Sequence, residues 1–143
     1  MQNILVETKD IRLIPFLMSM MKETKGVKID WKELELFLNV NLPSPLIKLC
    51  IAFDGTNING FILAYRVVPM IVPELFVAWT HVDSKYPEVA DMFQERLELW
   101  ARQLKVRKIS AMVHKNLKSW EKKYGFELES YIISKELDKE TKS

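Results

Sequence analysis

Cysteine is all but absent from the chain. A single residue, Cys50, in 143 positions rules out an internal disulfide, and no Cys/His spacing suits a zinc site. The expected setting is therefore a reducing compartment, with the cytoplasm as default. Long apolar runs are also missing: Val67 to Pro73 is an uncharged stretch of seven residues broken by two prolines, far from the ~20 apolar residues a bilayer-spanning helix needs. No membrane partner is expected, and the opening residues MQNILVETKD lack the basic start and apolar core of a secretion signal. Glycine and proline are sparse, at 4 and 6 residues, which excludes collagen-like and low-complexity architectures. An excess of either charge is lacking too: 21 Lys and Arg face 19 Asp and Glu, so no overall nucleic-acid footprint exists.

What is present fits one globular domain. Hydrophobic residues make up 48% and charged residues 28% of a chain long enough to bury about two thirds of its unfolded surface. We expect a single domain over residues 1–143, with 138–143 as a frayed tail. The charge is unevenly spread. Between Arg102 and Lys123 lie eight Lys and Arg (Arg102, Lys105, Arg107, Lys108, Lys115, Lys118, Lys122 and Lys123) against one acid, Glu121. That stretch reads as a solvated face or as a site for a polyanion.

Periodicity predicts the elements. Asn3 to Glu7 reads as a short strand, and a helix begins near Pro15, burying Phe16, Leu17, Met20 and Met21 and stopping at Gly26. Asp30 caps a second helix carrying Trp31, Leu34, Phe37 and Leu38 on one face. Leu46–Phe53, Phe61–Val68 and Leu75–Val82 read as three consecutive strands joined through turn signals, the last apolar on both faces and so central. Val89, Met92, Phe93, Leu97, Trp100, Ala101 and Leu104 trace a long helix from Pro87 to Lys105. A strand over Lys108–Val113, a basic helix over Asn116–Lys123 ending at Gly125, and strands within Phe126–Leu137 complete the series. The fold class is α/β in the mixed α+β sense: a twisted, mostly antiparallel sheet of six to seven strands flanked by about four helices.

This order, and above all the segment KISAMVHKNLKSWEKKYGFELESYIISKEL with its helix ending in Tyr124-Gly125-Phe126, resembles the GNAT superfamily of acyl-CoA N-acyltransferases. The resemblance implies an acetyl-CoA-dependent N-acetyltransferase acting on a primary amine. In that family the fourth strand splays from the fifth, pantetheine fills the gap, and the pyrophosphate sits on amides at the start of the long helix, where the macrodipole favours an anion. Carried onto this chain, the backbone of Ala78, Trp79, Thr80 and Val82 would hold pantetheine. Lys85, Tyr86, Glu88, Val89 and Ala90 would face the phosphates, and Asn116 and Trp120 would line the far wall. The chain departs from the family's loop, because Glu88 replaces its first glycine and Pro87 removes an N–H.

For catalysis the family uses a base for the substrate ammonium and commonly a tyrosine acid for the leaving thiolate. His81, Asp83 and, less centrally, His114 are the candidate bases. The family's tyrosine position holds Glu121, leaving Tyr124 as the nearby phenol. Cys50 reads as a small buried hydrophobe rather than a nucleophile. The alternative is a catalytically degenerate protein of this fold that binds a partner through its basic 102–123 segment. The acceptor class is open, nucleic acid is not the expected partner, and the resemblance admits a homodimer on which the residues themselves are silent.

Overall fold

The computed structural model describes residues 2–24, 27–69, 71–113, 117–129, 135 and 137. The chain runs β1 (Ile4–Glu7), a 3-10 turn (Ile11–Leu13), α1 (Ile14–Met21), α2 (Trp31–Asn41), β2 (Ile47–Phe53), β3 (Ile58–Val67), β4 (Glu74–Val82), α3 (Glu88–Gln103), β5 (Ile109–Ala111) and α4 (Leu117–Tyr124). The strands form one sheet in the order β1-β2-β3-β4-β5, antiparallel except for the parallel β4–β5 pair. Mixed α/β architecture with four α-helices matches the expectation. Five strands are described rather than six or seven. Within the expected 126–137 region, 126–129 are not in a strand, and all but 135 and 137 of the rest lie outside the described residues, as do Gly26 and the 138–143 tail.

Alternation along the strands builds a core on each face of the sheet. Ile47, Leu49 and Ile51 of β2 and Phe61 and Leu63 of β3 meet Ile14, Leu17, Met18 and Met21 of α1 and Leu38 of α2. The other face collects small side chains, Cys50, Ala52 and Ala64, and these leave room for the bulk of Phe93, Leu97 and Trp100 on α3. Trp100 is fully buried, and its indole N–H donates to Glu7 Oε1 at 2.9 Å, while Arg96 Nη1 meets Glu7 Oε2 at 2.5 Å. Glu7 thereby ties α3 to the edge strand β1.

Two sequence expectations need correction. In α1 the buried set is Ile14, Leu17, Met18 and Met21, and Phe16 is exposed. The helix reads IPFLMSMM, apolar nearly all round, so its sequence carries no phase, and packing alone chose the inward stripe. In α2 only Leu38 is fully buried; Phe37 lies at the rim, 6.4 Å from the Tyr65 ring. Capping follows the sequence more closely. Asp30 accepts the Glu33 N–H at 3.2 Å, and Gly125 takes the left-handed φ of 75° that lets the Phe126 N–H reach Trp120 O. No helix among the described residues is long and apolar enough to cross a membrane.

Candidate active site in the splay between strands four and five

The β4–β5 ladder is short. Leu75, Phe76 and Val77 pair with Ile109, Ser110 and Ala111, and then the strands part while β4 continues to Val82. At the paired end the buried Glu74 accepts from Ser110 Oγ at 2.8 Å and faces Lys108 Nζ at 3.6 Å, which pins the two strand starts together. At the parting point the β3–β4 register slips by one. Leu63 opposes Trp79 and Ala64 opposes Val77, so Ala78 is the extra residue of a β-bulge. A bulge bends its strand and sharpens the local twist, which turns β4 away from β5. Past Val77, β4 keeps β3 on one side, and on the other no strand among the described residues pairs with it.

Alongside that length of β4 lies a cleft of about 400 Å³ that passes through the sheet. Ala78 and Trp79 border it from the α1/α2 side, Thr80, Ala90 and Gln94 from the α3 side, and Met112, Val113, Trp120 and Tyr124 from across the gap. Thr80 Oγ1 is buried in this wall with no hydrogen-bond partner among the described residues. A buried hydroxyl left unpaired costs free energy, and it marks where a ligand's polar group would be accepted. A second groove, about 470 Å³, adjoins the cleft at Thr24, Val82, Asp83 and Ser84 and reaches Glu23, Asn59 and His81.

His81 lies in that second groove. Its ring stacks on Phe61 with centroids 6.2 Å apart, its side chain is 16% exposed, and Nε2 stands 3.7 Å from Glu23 Oε2 on the segment after α1. Asp83 borders both spaces, but its carboxylate is engaged: Oδ1 accepts the Lys85 N–H at 2.9 Å, and its carbonyl accepts the Tyr86 N–H. The Val89 and Ala90 amides close on Tyr86 O and Pro87 O. Only Ser84 and Glu88 in this loop retain amides without a partner among the described residues. Of the remaining loop residues, Lys85 and Glu88 are exposed outside the cleft lining, Tyr86 packs at the core margin, and the Val89 side chain is fully buried. Asn116 and His114 lie outside the described residues.

Tyr124, at the end of α4, lines the cleft. Its hydroxyl donates to Asp91 Oδ1 at 2.8 Å, and Lys123 Nζ meets the same oxygen at 3.1 Å. Burial first, and then the hydrogen bond to Asp91, push the Tyr124 phenol up, while Tyr124 and then Lys123 hold Asp91 below the ordinary carboxylate range. Trp120 meets Tyr124 and Phe126 edge-on, with centroids at 6.3 and 4.9 Å. Cys50 is out of play: it is fully buried, and desolvation pushes its thiol up to about 12.

Sequence reasoning missed Glu23, Gln94, Met112, Val113 and Lys123. Their neighbours in the site are brought to them by the fold rather than by spacing along the chain. Asp83 two residues before Lys85 was a readable turn signal, because an aspartate carboxylate commonly accepts the amide two residues on.

Gly60 on β3 shows how tightly this site is built. A Cβ there would stand 2.5 Å from the His81 carbonyl oxygen and 3.3 Å from Val82 Cα, both backbone atoms that can yield only if β4 moves. Gly60→Ala is expected to destabilise the protein by about 1–3 kcal/mol, as overpacking does. A urea midpoint equal to wild type would refute this contact.

No family model and no curated protein sequence matches the chain. Solved structures do. A predicted acetyltransferase from Clostridium acetobutylicum, determined with acetyl-CoA, is 19% identical with a TM-score of 0.78, over 94% of this chain and 96% of that one. Aminoglycoside 6'-N-acetyltransferase from Acinetobacter baumannii is 10% identical with a TM-score of 0.74, over 95% and 98%. An aminoglycoside N-acetyltransferase in complex with CoA is 12% identical with a TM-score of 0.75, over 95% of each chain. At these identities the likeness is one of fold, and the fold of this chain is that of the GNAT acyltransferases.

Proposed function

We propose that the protein is an acetyl-CoA-dependent N-acetyltransferase that passes an acetyl group directly to a primary amine. The observation that carries this reading is the through-sheet cleft at the β4–β5 splay, joined to a second groove on the α1/α2 side. Two reactants can meet there from opposite faces. Similar structures solved with acetyl-CoA or CoA support the same cosubstrate here. The residues fit its arm well. A slender chain bearing amides suits an open strand edge, and Thr80 Oγ1 is an unpaired buried hydroxyl waiting in the wall. The phosphate cradle is thinner, limited to the Ser84 and Glu88 amides with Lys123 nearby.

Acetyl-CoA supplies an activated acyl group: the N–C bond to the amine forms as the C–S bond breaks, the amine surrenders a proton and the thiolate regains one. His81 is placed to take the amine's proton, with Glu23 orienting the ring and stabilising the cation formed. Tyr124 is the phenol on the cleft wall; its O–H must turn from Asp91 to return a proton to sulfur, and Lys123, which can then hold Asp91 alone, stands beside the phenolate formed. Asp83 shapes the junction of the two spaces through its turn rather than as a base.

The second reading, a degenerate member that binds a partner through the basic 102–123 segment, is favoured by the internally satisfied amides of Lys85, Tyr86, Val89 and Ala90. Calorimetric titration with acetyl-CoA separates the two. Micromolar affinity, about −8 kcal/mol, is expected for the wild type, and Glu88→Gly is expected to tighten it by removing a carboxylate from the phosphates' approach. Absence of heat in both proteins would defeat the enzyme reading.

A further inference from the structure

The β3–β4 hairpin ends in an apolar tip. Its last pair is Val67 opposite Glu74, and beyond it Val68 and Val72 are more than half exposed and Ile71 is 93% exposed. Ile71 also has a φ of 72°, a left-handed conformation that a β-branched residue adopts only at a cost. Asparagine or glycine would suit that backbone better, so the apolar side chain stands in water against both solubility and local strain. Pro69 and Pro73 flank the tip and stiffen it.

Cations stand at its base. The Arg66 N–H bonds to the carbonyl of exposed Leu46, and the Leu75 N–H bonds to Lys108 O, which brings the α3–β5 loop beside the hairpin base. Lys105 and Arg107 on that loop are exposed, and neither they nor Arg66 form an ion pair among the described residues. Glu74 and Glu129 are both engaged by Lys108. An exposed apolar tip with cations beside its base complements an apolar interior covered by an anionic skin. A second copy meeting this face symmetrically would set cations against cations.

We propose that the hairpin tip and the Lys105–Arg107 loop form a peripheral docking surface for an anionic lipid bilayer. Val68, Ile71 and Val72 enter the acyl boundary, and Arg66, Lys105 and Arg107 meet the lipid phosphates. The surface lies at the Leu75 end of β4, while the cleft opens past Val77 toward the other end, so docking leaves the cleft accessible. The inference is independent of the acetyltransferase reading, and it departs from the sequence expectation of no membrane partner, which rested on the lack of a spanning run and does not bear on peripheral docking.

Flotation with vesicles of phosphatidylcholine alone, and of phosphatidylcholine mixed with phosphatidylserine, tests it. Association is expected with the mixed vesicles and not with phosphatidylcholine alone, weakening at high salt and in Arg107→Glu. Ile71→Asn is expected to weaken it at least about tenfold. Asparagine tolerates the left-handed φ, so that variant should retain the wild-type circular dichroism spectrum and thermal midpoint. Failure to float with mixed vesicles, equal flotation with both kinds, or indifference to Ile71→Asn would overturn the proposal. So would a concentration-dependent dimer abolished by Ile71→Asn, which would assign the tip to a second copy.

Discussion

Trp100→Ala is expected to destabilise the protein by about 3–5 kcal/mol, a large fraction of what holds a domain of this size together. The side chain is wholly buried in the cluster between α3 and the sheet, and close-packed neighbours there can fill the space left behind only in part. The substitution also strips Glu7 of its indole donor, leaving it with Arg96. Trp100→Phe separates the two effects. It keeps most of the volume and loses the hydrogen bond, so it should cost about 1–2 kcal/mol. Urea unfolding followed by two probes checks both values and the two-state assumption behind them. Equal midpoints for the alanine and phenylalanine variants would mean that packing is not what Trp100 provides.

Replacing His81 with alanine should reduce kcat/KM for acetyl transfer about 100-fold or more, the usual loss when a positioned base is removed. The expected loss rests on the proposed function and on one local arrangement, the imidazole between the Phe61 ring and the Glu23 carboxylate. The sign of the pH effect follows from the role. A base must be neutral to accept a proton, so wild-type activity should rise with pH through the range where histidine deprotonates, and the alanine variant should lack that limb. Acetyl-CoA affinity should change little, because His81 borders the second groove rather than the cleft lining. A variant that loses cofactor binding together with turnover would point to collapse of β4 instead of loss of a base.

Much of the fold was legible because several signals agreed. The 3.6-residue period of α3, the β-branched and apolar runs of β2 and β3 between turn signals, and the end signals at Asp30 and Gly125 each fix an element by local chemistry. The phase of α1 was illegible because nearly every position in it is apolar. The cleft was readable only through the family resemblance, since its cause is a register slip at Ala78 that no residue type in the strand announces. Glu23 beside His81 and Asp91 beside Tyr124 are pairings between segments far apart in sequence, which periodicity cannot see.

The same parted strands carry a liability. Past Val77 no described strand pairs with the outer side of β4, so this length is an edge in the middle of a fold. Exposed edges of this kind seed sheet-to-sheet aggregation, and proteins blunt them by bending the strand or covering it. Here the bulge at Ala78 kinks the strand where pairing stops, and Trp120 and Tyr124 of α4 stand across the gap. An intruding strand thus finds a bent template and a narrow approach, whereas a thin, flexible molecule can still slide in.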